Sequence, residues 1–305
     1  MEPFLALVGP TASGKTEAGL AVAGSLGAEI LSVDSMLVYR GMDVGTAKPT
    51  SEQQARIPHH LLDLVEPSEP FSVAAFQAAA RDAAGDVRRR GLQPLLVGGS
   101  GLYFRAVVDG LEFPGTEPRT RGTLEGEADA LGPDRMHRRL ADMDPVAASK
   151  IDPANIRRTV RALEVAAITG NPFSSYAAAW ESYPPERVRV AGIGLTPEQL
   201  SQRVEMRAQE MLAAGWLDEV EKLVAAGFGG WLTSSQAIGY AELARHLAHE
   251  LSLEDVVQQT VKRTRNLARR QMAWFRRDPR IRWFDAGLGG ASDVVDDVVA
   301  YLEGA

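Results

Sequence analysis

The sequence contains no cysteine, which excludes disulfides, thiolate nucleophiles and cysteine-ligated zinc or iron-sulfur centres. Histidine is scarce: His59, His60, His137, His246 and His249 are the full set, and none stands in a metal-ligand spacing such as His-Glu-x-x-His. A metal in this chain is therefore expected to be magnesium on oxygen ligands. No apolar run reaches the roughly 18 residues that cross a bilayer. The opening segment Met1-Glu2-Pro3-Phe4 lacks the basic region and cleavage site of a secretory leader, so a cytoplasmic protein is expected; separately, a monomer is expected. There is no internal repeat and no low-complexity tract. What remains is 305 residues, 45% hydrophobic and 24% charged, enough for one large domain or two modest ones with a substantial core.

The net charge of −7 argues against a surface that is a nucleic-acid footprint throughout. Residues 262–282 depart from that balance. Lys262, Arg263, Arg265, Arg269, Arg270, Arg276, Arg277, Arg280 and Arg282 stand there against Asp278 alone, a local +8 that leaves −15 for the rest of the chain. Wound at about 100° per residue, Val261–Arg277 places its basic residues on one half, and Val261, Leu267, Ala268, Met272, Trp274 and Phe275 on the other. Charge alone leaves two readings open, a solvated helix face or a surface for an anionic partner such as RNA or a diphosphate.

Along the chain, short apolar runs at Phe4–Val8, Ile30–Val33, Leu61–Leu64, Leu95–Val97 and Val188–Leu195 have the character of strands buried on both faces of a parallel sheet. Helical patterns at Thr16–Ser25, Ser72–Arg90 and Leu102–Val108 separate them, as parallel crossovers require. From about Thr116 to Tyr183 the strand signal vanishes, and Arg135–Thr169 carries helical periodicity broken at Asp144-Pro145 and Asp152-Pro153. The expected fold class is α/β: a P-loop-type parallel sheet core flanked by helices, with a helical insertion domain. The core would comprise residues 1–115 and 186–305, the insertion 116–185, and a late strand is expected at Ile281–Phe284. His59-His60 and the tryptophans Trp180, Trp216, Trp231, Trp274 and Trp283 are read as structural.

One octet carries chemistry. Gly9-Pro10-Thr11-Ala12-Ser13-Gly14-Lys15-Thr16 fits G-x-x-x-x-G-K-[ST], between an apolar strand and a helix. Gly14 lets the backbone approach phosphate, and successive N–H groups with the helix N-terminus supply positive potential. Lys15 neutralises phosphate oxygens, and Thr16 is the candidate magnesium ligand. Asp34 ends the next strand, expected to lie beside the first in the sheet, and is a second candidate, because in such sheets ligands bind at the carboxyl ends of strands. The loop by itself also suits a kinase or a prenyltransferase acting on a free nucleotide.

Longer strings narrow this. The phosphate loop is followed by Asp34-Ser35-Met36-Leu37-Val38-Tyr39-Arg40-Gly41-Met42-Asp43-Val44-Gly45-Thr46-Ala47-Lys48-Pro49 and Pro58-His59-His60-Leu61-Leu62-Asp63. Further on come Gly98-Gly99-Ser100-Gly101-Leu102-Tyr103, Arg158-Thr159-Val160-Arg161-Ala162-Leu163-Glu164-Val165, Ala237-Ile238-Gly239-Tyr240 and Thr264-Arg265-Asn266-Leu267-Ala268-Arg269-Arg270-Gln271. Together, over nearly the whole chain, these resemble the tRNA dimethylallyltransferase family. Leu37 stands where many relatives carry glutamine, and Ser100 where threonine is commoner.

The resemblance implies transfer of a dimethylallyl group from dimethylallyl diphosphate to N6 of the adenosine at tRNA position 37, 3′ to the anticodon, with magnesium. It implies Asp34 as general base, Thr11 orienting the reacting groups, and Gly9, Pro10, Thr11, Ala12, Ser13, Gly14, Lys15, Thr16, Arg203 and Arg207 about the diphosphate. It also implies RNA contacts from Asp34, Ser35, Met36 and Leu37, from Arg157, Arg158, Thr159, Val160 and Arg161, and from Arg265, Arg269 and Arg270, with Ser100 and Arg121 beside a base flipped from the anticodon stem-loop.

Overall fold

The computed structural model describes residues 3–287 and 290–304, so the Met1-Glu2 start of the opening segment lies outside them. The chain forms two compact units: Met1–Gly110 with Pro184–Ala305, and Leu111–Tyr183. The first is built on a sheet of six strands, β1 Phe4–Val8, β2 Ala28–Ser32, β3 His59–His60, β4 Gln93–Gly98, β5 Val188–Gly194 and β6 Ile281–Asp285, in the order β3-β2-β4-β1-β5-β6. Every neighbouring pair is parallel. Helices α1 (Lys15–Leu26), α2 (Val73–Arg89) and α3 (Gly101–Val108) connect the first strands. Beyond β5 follow α4 (Pro197–Ala213), α5 (Trp216–Ala225), α6 (Tyr240–Leu247), α7 (Leu253–Phe275) and α8 (Val295–Glu303).

Side chains alternate across each strand, so the two faces bury different sets. Ala6, Val8, Leu31, Val33 and Leu96 face Phe76 and Val87 of α2 and Phe104 of α3, in a core that also takes Tyr240 and Phe275. Leu5, Leu7, Ile30, Leu95 and Val97 face Val22 and Ala23 of α1 and Val298 and Leu302 of α8. None of the described helices is long and apolar enough to cross a membrane.

Several expectations are corrected. Leu61–Leu64 is not the third strand: β3 stops at His60, because Leu61 (φ 68°) and Asp63 (φ 53°) adopt left-handed backbone that extended pairing cannot use. β1 and β2 are not neighbours either, since β4 lies between them. Trp274 is 37% exposed, packed over the backbone of Gly101, where an added Cβ would overlap its indole, whereas Trp216 is buried. His60 is structural: its Nε2 lies 2.7 Å from Oε2 of buried Glu29, which Arg90 also clamps through both terminal nitrogens.

The second unit is helical, with helices Pro118–Leu131, Pro133–Met143, Pro145–Lys150 and Ile156–Thr169 packed through Leu124, Met136, Leu140, Val160 and Leu163. Asp144-Pro145 starts a helix. Pro145 takes its first position, while Asp144 accepts the Ala147 N–H at 3.0 Å and the Ser174 N–H at 2.8 Å, which hold its carboxyl below its ordinary range against the opposing effect of burial. Asn155 caps Ile156–Thr169 by accepting the Arg158 N–H at 3.2 Å.

Candidate active site

The order β2-β4-β1 brings three loops side by side at the carboxyl edge of the sheet: the phosphate loop after β1, Asp34 after β2, and Gly98-Gly99-Ser100 after β4. The last two are laced by backbone bonds, Val33 N–H to Val97 O at 2.9 Å and Ser100 N–H to Val33 O at 3.1 Å. Gly98 permits this, since a Cβ there would overlap the carbonyl of Val33. Ser100 caps α3 by accepting the Tyr103 N–H at 3.4 Å.

Within the phosphate loop, Gly14 (φ 85°) opens α1 in a left-handed turn that only glycine adopts readily. Ala12 has φ 64°, a conformation disfavoured for alanine that its surroundings must enforce. Lys15 Nζ donates to Pro10 O at 3.0 Å. Ser13 Oγ is fully buried with no hydrogen-bond partner among the described residues. Outside help comes from Gln271 of α7, whose Oε1 accepts the Thr11 N–H at 2.8 Å.

Charge gathers around this loop. Burial lowers the Lys15 ammonium to about 8, with Asp34 pulling it up and Arg207 pushing it further down. Burial likewise lowers Arg207, opposed by attraction to Asp34 and Glu210. The Arg203 guanidinium lies against Gly14, 3.2 Å from where a Cβ would stand. Arg203 and Arg207, one helical turn apart on α4, thus place two cations beside the octet. Asp34 Oδ1 accepts the Met36 N–H at 2.9 Å, which aims the carboxylate and leaves its second oxygen without a hydrogen bond among the described residues. Burial, with Tyr39 and Asp34 adding to it, raises the Tyr103 phenol and keeps it a neutral donor beside that carboxylate.

The other sequence-derived residues scatter. Ser35, Met36 and Leu37 follow Asp34 and are half-buried, with the Leu37 carbonyl accepting the Asp63 N–H at 3.1 Å. Arg121 and Arg161 of the helical unit both pair with buried Glu164, at 2.5 and 2.7 Å. Thr159 and Val160 are 0% and 3% exposed, packed inside that unit, so RNA contact by their side chains is withdrawn; Arg157 and Arg158 are exposed. Of the basic stretch, Arg280 turns inward to Asp109 and Asp278, Arg263 pairs with Glu242, and Arg265 with Glu205. Arg269 donates to Asn266 at 2.6 Å. Lys262, Arg270, Arg276 and Arg277 remain exposed, with no ion pair among the described residues. Gln271 was not singled out as a site residue from sequence; its signal was its place at the end of the family-like string Thr264–Gln271, beside the arginines.

A family model described as IPP transferase matches residues 37–278, and one described as isopentenyl transferase matches residues 3–63. The chain belongs to the IPP transferase family. A tRNA dimethylallyltransferase of Nocardioides is 47% identical over 99% of this chain and 97% of its own length. One from Streptomyces coelicolor is 44% identical over 95% and 92%. Among solved structures, the tRNA isopentenylpyrophosphate transferase of Bacillus halodurans superposes with a TM-score of 0.70 at 36% identity, covering 99% of this chain and 97% of that one. A eukaryotic dimethylallyltransferase described as acting on tRNA gives 0.76 at 26% identity, covering 93% and 74%. This IPP transferase therefore shares its parallel-sheet architecture with relatives along nearly its full length.

Proposed function

We propose that this IPP transferase moves a dimethylallyl group from dimethylallyl diphosphate to N6 of the adenosine at tRNA position 37, within the anticodon stem-loop. The observation that carries the reading is the meeting of a phosphate loop and an aimed carboxylate, Asp34, at the same carboxyl edge of the sheet, close enough for Lys15 and Asp34 to attract one another, in a chain whose full-length relatives are tRNA dimethylallyltransferases. In the reaction the C1–O bond of the prenyl donor breaks, the N6–C1 bond forms, and the N6 proton passes to Asp34. An exocyclic adenine amine is delocalised into its ring and attacks poorly unless that proton leaves as the bond forms. Diphosphate departs with its electron pair into the loop, where Lys15, Arg203, Arg207 and the α1 N-terminus oppose its charge.

Magnesium fits this donor set. Thr16 and Asp34 offer hard oxygen atoms, and no group of three or more His, Asp or Glu among the described residues could cage a metal alone. A cation here would take its remaining ligands from diphosphate and water, as magnesium does, and would supply charge neutralisation of the leaving group. The exposed Lys262, Arg270, Arg276 and Arg277 offer phosphate contacts for RNA.

The test is incubation with magnesium, labelled dimethylallyl diphosphate and an anticodon stem-loop carrying adenine or guanine at the target position, with free AMP in parallel. Label entering only the adenine-bearing RNA, and lost in a folded Asp34→Ala variant, is the expected result. Label in AMP, or full activity without Asp34, overturns it.

A further inference from the structure

The phosphate loop contains a turn its own sequence does not favour. Ala12 sits at φ 64° in a turn closed locally by one long backbone bond, Ser13 N–H to Pro10 O at 3.3 Å. Further support comes from the basic helix. Ala12 packs with Val261 and Ala268 of α7 and Val204 of α4, and one turn beyond Ala268, on the same face, Gln271 accepts the Thr11 N–H at 2.8 Å. Among the described residues, no other side chain from outside the octet hydrogen-bonds its backbone. The opposite end of the same amide rests on the neighbouring loop: a Cβ on Gly99 would stand 2.6 Å from Gln271 Nε2. Gln271 is thus wedged between the loops after β1 and β4.

We infer that Gln271 is a positioning residue of this IPP transferase: it holds Thr11 so that the strained turn keeps the shape that receives a diphosphate. The inference rests on the proposed prenyl transfer only for the identity of the diphosphate. Holding Thr11 through its N–H leaves the N–H groups at the start of α1, which lack intrahelical acceptors, directed at the ligand. Gly99 is then glycine so that the amide can reach Thr11, and a methyl group there displaces it.

The experiment compares Gln271→Met, which keeps the length and removes the acceptor, with Gln271→Ala, Gly99→Ala and the Gly99→Ala/Gln271→Ala double variant. Magnesium with inorganic diphosphate is titrated calorimetrically, stem-loop Kd is measured separately, and KM and kcat are determined for the prenyl donor. Losing one backbone hydrogen bond should weaken diphosphate binding and raise donor KM by about fivefold to tenfold in each single variant, with stem-loop Kd unchanged within about twofold. Adding Gly99→Ala to Gln271→Ala should cost much less than Gly99→Ala costs alone, because the amide is gone and only the 3.2 Å approach of the new methyl group to Gly9 O remains. Unchanged diphosphate affinity in Gln271→Met, an equal loss of RNA affinity, or full additivity of the two changes overturns the inference. A wild-type protein that binds diphosphate but transfers no prenyl group refutes the proposed reaction, while the diphosphate titrations still decide the role of Gln271. If Gln271→Ala fails to fold, Gln271→Met decides alone.

Discussion

Lys15 turns diphosphate binding into a proton-coupled event whose size follows from the structure. In the free protein, burial holds its ammonium at about 8 against an ordinary 10.5. A bound diphosphate places negative charge beside Nζ and returns the amine to its charged form. About a tenth of free molecules are deprotonated at this position at pH 7, half at pH 8 and nine-tenths at pH 9, so binding takes up about 0.1, 0.5 and 0.9 proton respectively. The sign follows from which form of Lys15 binds: its contribution to affinity is flat below pH 8 and falls about tenfold per unit above it, a span of about 3 kcal/mol by pH 10.5. Titration calorimetry of dimethylallyl diphosphate at pH 9, in two buffers of different ionisation enthalpy, reads the uptake directly. Lys15→Arg is the control, because a guanidinium does not titrate in this range. Uptake near zero in the wild type, or equal uptake in Lys15→Arg, refutes the reasoning. The unfolded chain carries more protons than the folded one between pH 8 and 10.5, so the Lys15 contribution to stability rises with pH through that window.

Three further outcomes are expected. Glu29, pushed down to about 2 chiefly by its hydrogen bonds from Arg90, contributes stability above its unfolded range near 4.5 that is lost as pH falls toward 2; urea denaturation of Glu29→Gln should show about 2–3 kcal/mol less stability at pH 7 and a flatter acid limb. Gly45→Ala should cost about 1–3 kcal/mol in the same assay, since a Cβ would overlap the Trp216 indole and disturb a loop whose N–H groups at Asp43 and Val44 each donate to Glu219 at 2.8 Å; a neutral variant would contradict that packing. Arg270→Ala should weaken stem-loop binding whatever its sequence and lower the slope of log affinity against log salt by about 1, and an unchanged slope would remove Arg270 from the RNA face.

Locally encoded features were open to a reader of the sequence alone. A strand, a glycine turn and a helix that follow one another over Phe4–Leu26 need no distant partner to be recognised, because alternation, Gly14 and Lys15 act within a few residues. The break in helix at Asp144-Pro145, where one helix ends at Met143 and the next opens at Pro145, and the long amphipathic helix ending at Phe275 are of the same kind. Periodicity failed where backbone conformation overruled composition, as at Leu61 and Asp63.

The three-dimensional structure decided what depends on which side chains meet. Insertion of β4 between β1 and β2 sets which loops adjoin, and parallel pairing of distant segments leaves no trace in local pattern. The same holds for charge: Arg280 and Arg270 look alike in a basic run, yet one is buried between Asp109 and Asp278 while the other faces solvent. Arg161, two residues after Thr159, spends its charge on Glu164 inside the helical unit. Gln271 meets Thr11 across 260 residues of sequence. The chemistry of the octet was written locally because backbone geometry is local; its support was not, because packing selects partners by distance in space and sequence records only distance along the chain.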